Sequence, residues 1–241
     1  MKKSAIFFFL LSSYLVKAQV PVVFESLDGK KVYADWYPTS SEAPSILLCH
    51  QANSNRGEYA TIALKLNKYG FNCLAIDQRL GANDTDYINQ SSAALPNSVV
   101  ATEAMAKDDI GGAIQYLYNL HQKKIIVWGS GYSANLILSM AQGENNIMAA
   151  LAFSPLPNHD SNASLSKLRK SCFITSSKAE AAEVTNTTRE INSLLKVQYI
   201  PTSEGAHGAK SLWQSIDGHE QYWIATMSFL NRIKREFDLN K

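Results

Sequence analysis

Residues 124 to 135 read Lys-Ile-Ile-Val-Trp-Gly-Ser-Gly-Tyr-Ser-Ala-Asn. Lys124 to Trp128 is an apolar run of strand length, and Tyr132 to Gln142 carries a helical pattern. Between them lie only small residues, so the chain must turn sharply from strand into helix. That strand-turn-helix unit is the building block of a parallel sheet covered by helices. The same rhythm extends in both directions. Upstream, Val20–Leu27 and Lys31–Tyr37 read as strands joined at Asp28-Gly29, a hairpin signal. Ser45–His50 is a buried strand, Gly57–Tyr69 a helix stopped by Gly70, and Phe71–Asp77 another buried strand. Leu80–Asn97 is a polar excursion, followed by a helix over Ala101–His121 whose middle is weakened by Gly111-Gly112. Downstream, Ile147–Ser154, Cys172–Ser177 and Val197–Pro201 are strands, with helices over Ala179–Leu195 and Gly218–Phe237. The expected fold class is α/β, one doubly wound, mostly parallel sheet with helices on both faces.

Composition agrees with a single globular domain. The 241 residues are 46% hydrophobic and 18% charged, enough to bury a sizeable core, and no Pro/Gly-rich linker divides them. The formal charge of +2 includes Lys2, Lys3 and Lys17; without them 20 basic and 21 acidic residues leave −1. No basic stripe remains to hold nucleic acid.

Those lysines belong to a leader pattern. Lys2-Lys3 precede an apolar run, Ala5–Val16, and Val16-Lys17-Ala18 offers a cleavage point. The run would extend roughly 18 Å as a helix against a ~30 Å hydrocarbon core. Residues 1–18 therefore read as a signal peptide and 19–241 as the mature domain, periplasmic or secreted, with no membrane span after cleavage. Cys49, Cys73 and Cys172 are odd in number and sit in strand-like runs, as buried thiols do. Neither they nor His121, His159 and His219 have metal-ligand spacing, so no metal or cofactor is expected.

In such sheets ligands sit beyond the carboxyl ends of the strands, which directs attention to the residues after each one. The turn at Gly129-Ser130-Gly131-Tyr132-Ser133 is where a hydrolase mounts its nucleophile, flanked by small residues above a helix N-terminus. Gly205-Ala206-His207-Gly208 places a histidine after the last strand, and Glu180 follows the strand ending at Ser177, with Glu183 one turn on as the alternative acid. Gly129-x-Gly131-x-x-Ala134 also fits a dinucleotide fingerprint, but Phe153-Ser154-Pro155 at the next strand end supplies no carboxylate for a ribose.

The order elbow, acid, histidine resembles the α/β-hydrolases, and the dienelactone-hydrolase-like group in particular. His50-Gln51-Ala52 with Arg56, Glu58 and Tyr59 resembles that group's oxyanion loop, and Ile76-Asp77-Gln78-Arg79 its next strand end. Phe153-Ser154-Pro155 and Gly205-Ala206-His207-Gly208 with Leu212-Trp213 match later segments. The resemblance implies a serine carboxyl-ester hydrolase acting on a small ester or acyl ligand. It would make the Gln51 and Tyr132 amides the oxyanion hole, His207 the base and Glu180 its orienter. It also puts Gly131 in the nucleophile position, where a residue without a side chain cannot form an acyl intermediate. Two readings stay open: impaired catalysis, leaving a protein that binds a ligand or partner, or a turn displaced by two residues with Ser133 as nucleophile.

Overall fold

Strict alternation of side chains on buried strands requires cover on both sides, and the chain supplies it with helices. In a computed structural model, which describes residues 19–84, 86–157, 164–192 and 195–239, eight strands form one sheet in the order β1-β2-β4-β3-β5-β6-β7-β8. They are β1 (Val20–Glu25), β2 (Lys31–Tyr37), β3 (Ser45–Cys49), β4 (Asn72–Ile76), β5 (Ile125–Ser130), β6 (Ile147–Phe153), β7 (Ser171–Thr175) and β8 (Lys196–Tyr199). The β1-β2 hairpin pairs antiparallel and β2 joins β4 antiparallel. From β4 onward every pairing is parallel. The proposed leader, residues 1–18, lies outside the described residues, as does His159.

The helices are α1 (Ala60–Lys68), α2 (Gln90–Ala93), α3 (Glu103–His121), α4 (Tyr132–Ala141), α5 (Ala181–Thr188) and α6 (His219–Leu239). Leu47 and Cys49 of β3 and Val127 of β5 point into the core shared with α3, α4 and α5. Ile46, Leu48, Ile126 and Trp128 point the other way, into a core closed by α1 and α6. The period of two along each strand thus divides one apolar run between two cores. All three cysteines are buried and free. Among the described residues no helix is long and apolar enough to cross a membrane.

One helix ends well short of expectation. Helix α5 stops at Thr188 instead of Leu195. Its second half is Thr-Asn-Thr-Thr, and Thr185, Thr187 and Thr188 each donate a hydroxyl bond to the carbonyl four residues back. Such back-bonding and β-branching weaken a helix end. Helix α3, in contrast, runs unbroken through Gly111-Gly112. A Cβ on Gly112 would lie 2.3 Å from the Glu25 carbonyl oxygen, so these glycines let α3 approach the end of β1. The 80–97 excursion is held down: Tyr33 N–H donates to Ser91 Oγ, Gln90 N–H to Asp77 Oδ2, and Asn89 Nδ2 to the Gln78 carbonyl.

Candidate active site

Strand β5 ends at Ser130, and Gly131 alone carries the chain into α4. Its φ of 57° and ψ of −124° lie where an L side chain is strained, and its amide is anchored to the Phe153 carbonyl at 2.9 Å. The turn is tight because Gly129 has no side chain; a Cβ there would sit 2.4 Å from the Ser133 carbonyl oxygen. A Cβ on Gly131 would project to 2.9 Å from His207 Nε2 and 3.0 Å from Gln51 Cβ. The elbow therefore aims its missing side chain at the histidine.

His207 stands on the loop between β8 and α6, with its side chain 43% exposed. Its Nδ1 is 2.6 Å from Glu180 Oε1. The other carboxylate oxygen, Oε2, accepts from Ser154 Oγ at 2.7 Å and from Ser177 N–H at 3.1 Å. Burial pushes the Glu180 carboxyl up, but hydrogen bonds from His207, Ser154 and Ser177 outweigh it and hold the group at about 2. The bond to Glu180 in turn raises His207 above its ordinary range, against the opposing effect of burial. An ionised Glu180 can only accept, so Nδ1 carries the proton and the neutral imidazole presents the Nε2 lone pair toward Gly131. The structure brings Glu180, not Glu183, to the histidine; Glu183 sits exposed on α5.

Ser154, in the Phe153-Ser154-Pro155 segment of the resemblance, had no role assigned from sequence, yet it belongs to the site. Its φ of 56° is in the left-handed region, and its Oγ both donates to Glu180 and accepts from Gly208 N–H at 2.9 Å. One hydroxyl thus ties the acid to the histidine loop. The signal available in sequence was slight, a serine before Pro155.

Beneath the elbow lies Glu58, fully buried. Its Oε1 accepts from Ser130 Oγ at 2.6 Å and its Oε2 from Gln51 N–H at 2.9 Å, while Ala209 N–H donates to Ser130 Oγ. Burial pushes the Glu58 carboxyl up. This changes the expected oxyanion hole. The Tyr132 amide stands at the first position of α4, where helix geometry provides no internal partner. The Gln51 amide already has an acceptor in Glu58 and could serve a ligand only by sharing. Tyr132 hydroxyl bonds to the Leu80 carbonyl, placing the 80–97 excursion beside the elbow.

The two serines next to Gly131 face inward. Ser133 Oγ donates to the His50 carbonyl at 2.6 Å and receives Gln78 Nε2 at 2.8 Å, with no exposed surface. It lies in the first turn of α4, not at the strained turn residue, so a displaced elbow does not form. His50 is structural: burial drives it down to about 4, and the neutral ring links the Gln51 carbonyl to Gln78 N–H. Arg56 and Asp77 of the resemblance segments form an ion pair, with Asp35 on the other side of Arg56. Among the described residues no His, Cys, Asp and Glu cluster is arranged to hold a metal ion.

No protein-family profile matches the chain. A polyketide transferase, grgF, from a Penicillium species is 24% identical over 145 residues, 58% of this chain but 46% of that protein, so the match spans about half its length. The esterase Pf2001 of Pyrococcus furiosus superposes with a TM-score of 0.66 at 15% identity, over 89% of this chain and 92% of the esterase. A dienelactone hydrolase from Anabaena variabilis gives 0.63 at 13% identity, over 88% and 95%. This chain has the α/β-hydrolase fold.

Proposed function

We propose that this chain is an exported α/β-hydrolase-fold protein, periplasmic or secreted, whose carboxyl-ester site no longer performs covalent catalysis. It retains a site for a small ester or acyl ligand but forms no acyl-enzyme. One observation carries the reading: the strained turn residue facing His207 is Gly131, whose side chain would have been the nucleophile. Without a hydroxyl or thiol there, no acyl intermediate can form. The flanking hydroxyls are committed elsewhere, Ser130 to Glu58 and Ser133 to the His50 carbonyl. Those bonds also count against Ser133 as a substitute nucleophile. The ligand class is supported by what surrounds the turn, a base, its oriented acid and a helix N-terminal amide suited to a carbonyl oxygen. Export rests on the leader pattern of residues 1–18, and the near-neutral mature charge speaks against a nucleic-acid partner.

The test is covalent labelling of the mature protein and of Gly131→Ser with a fluorophosphonate, followed by peptide mass mapping. The unmodified protein is expected to stay unlabelled, and the variant to carry the adduct at residue 131. An adduct on Ser133 or Ser130 of the unmodified protein would sink the proposal.

A further inference from the structure

We infer that the His207–Glu180 pair is a working general base that activates water directly against a small carboxyl ester seated over Gly131. The inference rests on the reading of Gly131 as a lost nucleophile and adds an activity to it. Three features of the geometry carry it. His207 is oriented through Nδ1 by a carboxylate that has two further donors, Ser154 Oγ and Ser177 N–H. Its Nε2 faces the spot that an elbow side chain would occupy, 2.9 Å from where a Cβ would stand. And the imidazole is 43% exposed, open to water, while both neighbouring serine hydroxyls are turned into the protein.

The step balances without a co-reactant other than water. As the water oxygen attacks the ester carbonyl carbon, one of its protons passes to His207 Nε2, and the carbonyl π electrons move onto oxygen. The resulting oxyanion lies against the Tyr132 amide at the positive end of α4. When the tetrahedral species collapses, the C–O bond to the alcohol breaks and the alkoxide takes the proton back from Nε2. Acid and alcohol leave, and the imidazole is neutral again. Sharing of the Gln51 amide with Glu58 makes the oxyanion poorly held, so turnover is slow. Imidazolium formation is assisted by ionised Glu180, and activity rises as pH climbs through the histidine's raised pKa.

The probe is 4-nitrophenyl acetate with the mature protein, His207→Ala and His207→Gln. General-base catalysis contributes about 10²-fold or more, so both variants are expected to lose about that factor. Turnover of the unmodified protein should slow in deuterium oxide, as a proton transfer in the rate-limiting step requires, and its progress curves should show no burst. Circular dichroism checks that each variant is folded; two substitutions of an exposed side chain guard against one that is not. Unchanged hydrolysis in both folded variants would overturn the inference while leaving the fluorophosphonate blank, and with it the lost-nucleophile reading, intact. A burst equal to the protein concentration together with a serine adduct would overturn both.

Discussion

Gly131 shows how much a single backbone conformation can reveal. A φ of 57° with ψ near −124° is a conformation that glycine adopts freely and that costs other residues about 1–3 kcal/mol. Gly131→Ser is therefore expected to lower stability by about that amount in urea denaturation, even as it supplies a hydroxyl. Its Cβ also needs the His207 ring to give way slightly, which an exposed side chain can do. Ser154 endures a similar left-handed backbone and holds the acid and the histidine loop together. In Ser154→Ala, Glu180 loses a donor and should titrate higher, as read by NMR titration of its carboxyl carbon. The pair also gives stability a defined pH window. Glu180, depressed from 4.5 to about 2, contributes above 4.5 and loses that contribution as pH falls toward 2. His207, raised above 6.5, contributes fully below 6.5 and loses it as pH rises through the folded value. The difference in urea midpoint between the unmodified protein and Glu180→Gln should accordingly be largest between pH 4.5 and 6.5.

Helix α3 illustrates a conflict between local preference and packing. Alanine is favoured over glycine within a helix by about 1 kcal/mol, so Gly112→Ala would stabilise an isolated α3. Here the new Cβ would meet the Glu25 carbonyl oxygen at 2.3 Å and the Ser26 Cα at 2.7 Å, backbone atoms that cannot rotate away. Overpacking of this kind costs about 1–3 kcal/mol, and the substitution is expected to be destabilising overall by denaturant midpoint. At the other end of the sheet, the threonine-rich half of α5 gives up length for local hydroxyl bonds. That early stop does not disturb Glu180, which precedes the helix.

Across the molecule, two ion networks centred on the largely buried Arg79 and Arg56 attach the antiparallel hairpin to the parallel sheet. Arg79 pairs with Asp109 on α3 at 2.8 Å and with Asp28 in the hairpin turn at 2.7 Å, and Arg56 joins Asp35 of β2 to Asp77 beyond β4. Burying such charges is expensive, but removing one partner is costlier because it strands the other. Asp109→Ala leaves Arg79, 3% exposed, with Asp28 as its remaining carboxylate, and should lower stability by about 3–5 kcal/mol in thermal or urea unfolding. These networks lie where the Arg56 and Asp77-Gln78-Arg79 segments had resembled site motifs. Their role is to anchor the loops that carry Gln51 and the 80–97 excursion.

Much of this could be read directly along the chain. Strand and helix order, the hairpin and the elbow follow from apolar periodicity and small residues, signals that act over a few neighbouring positions. Gly131, Glu180 and His207 were likewise legible, because each sits just after a strand, and the carboxyl ends of parallel strands converge whatever the rest of the fold does. Other features depended on contacts between distant segments. The choice of Glu180 over Glu183 turned on which carboxylate reaches His207, 27 residues away. The inward turn of Ser133 and the claim of Glu58 on the Gln51 amide arise where β3, β5 and the first turn of α4 meet. A side chain's type is written in the sequence, but the partner its polar atoms find is decided only when burial leaves them no water to bind.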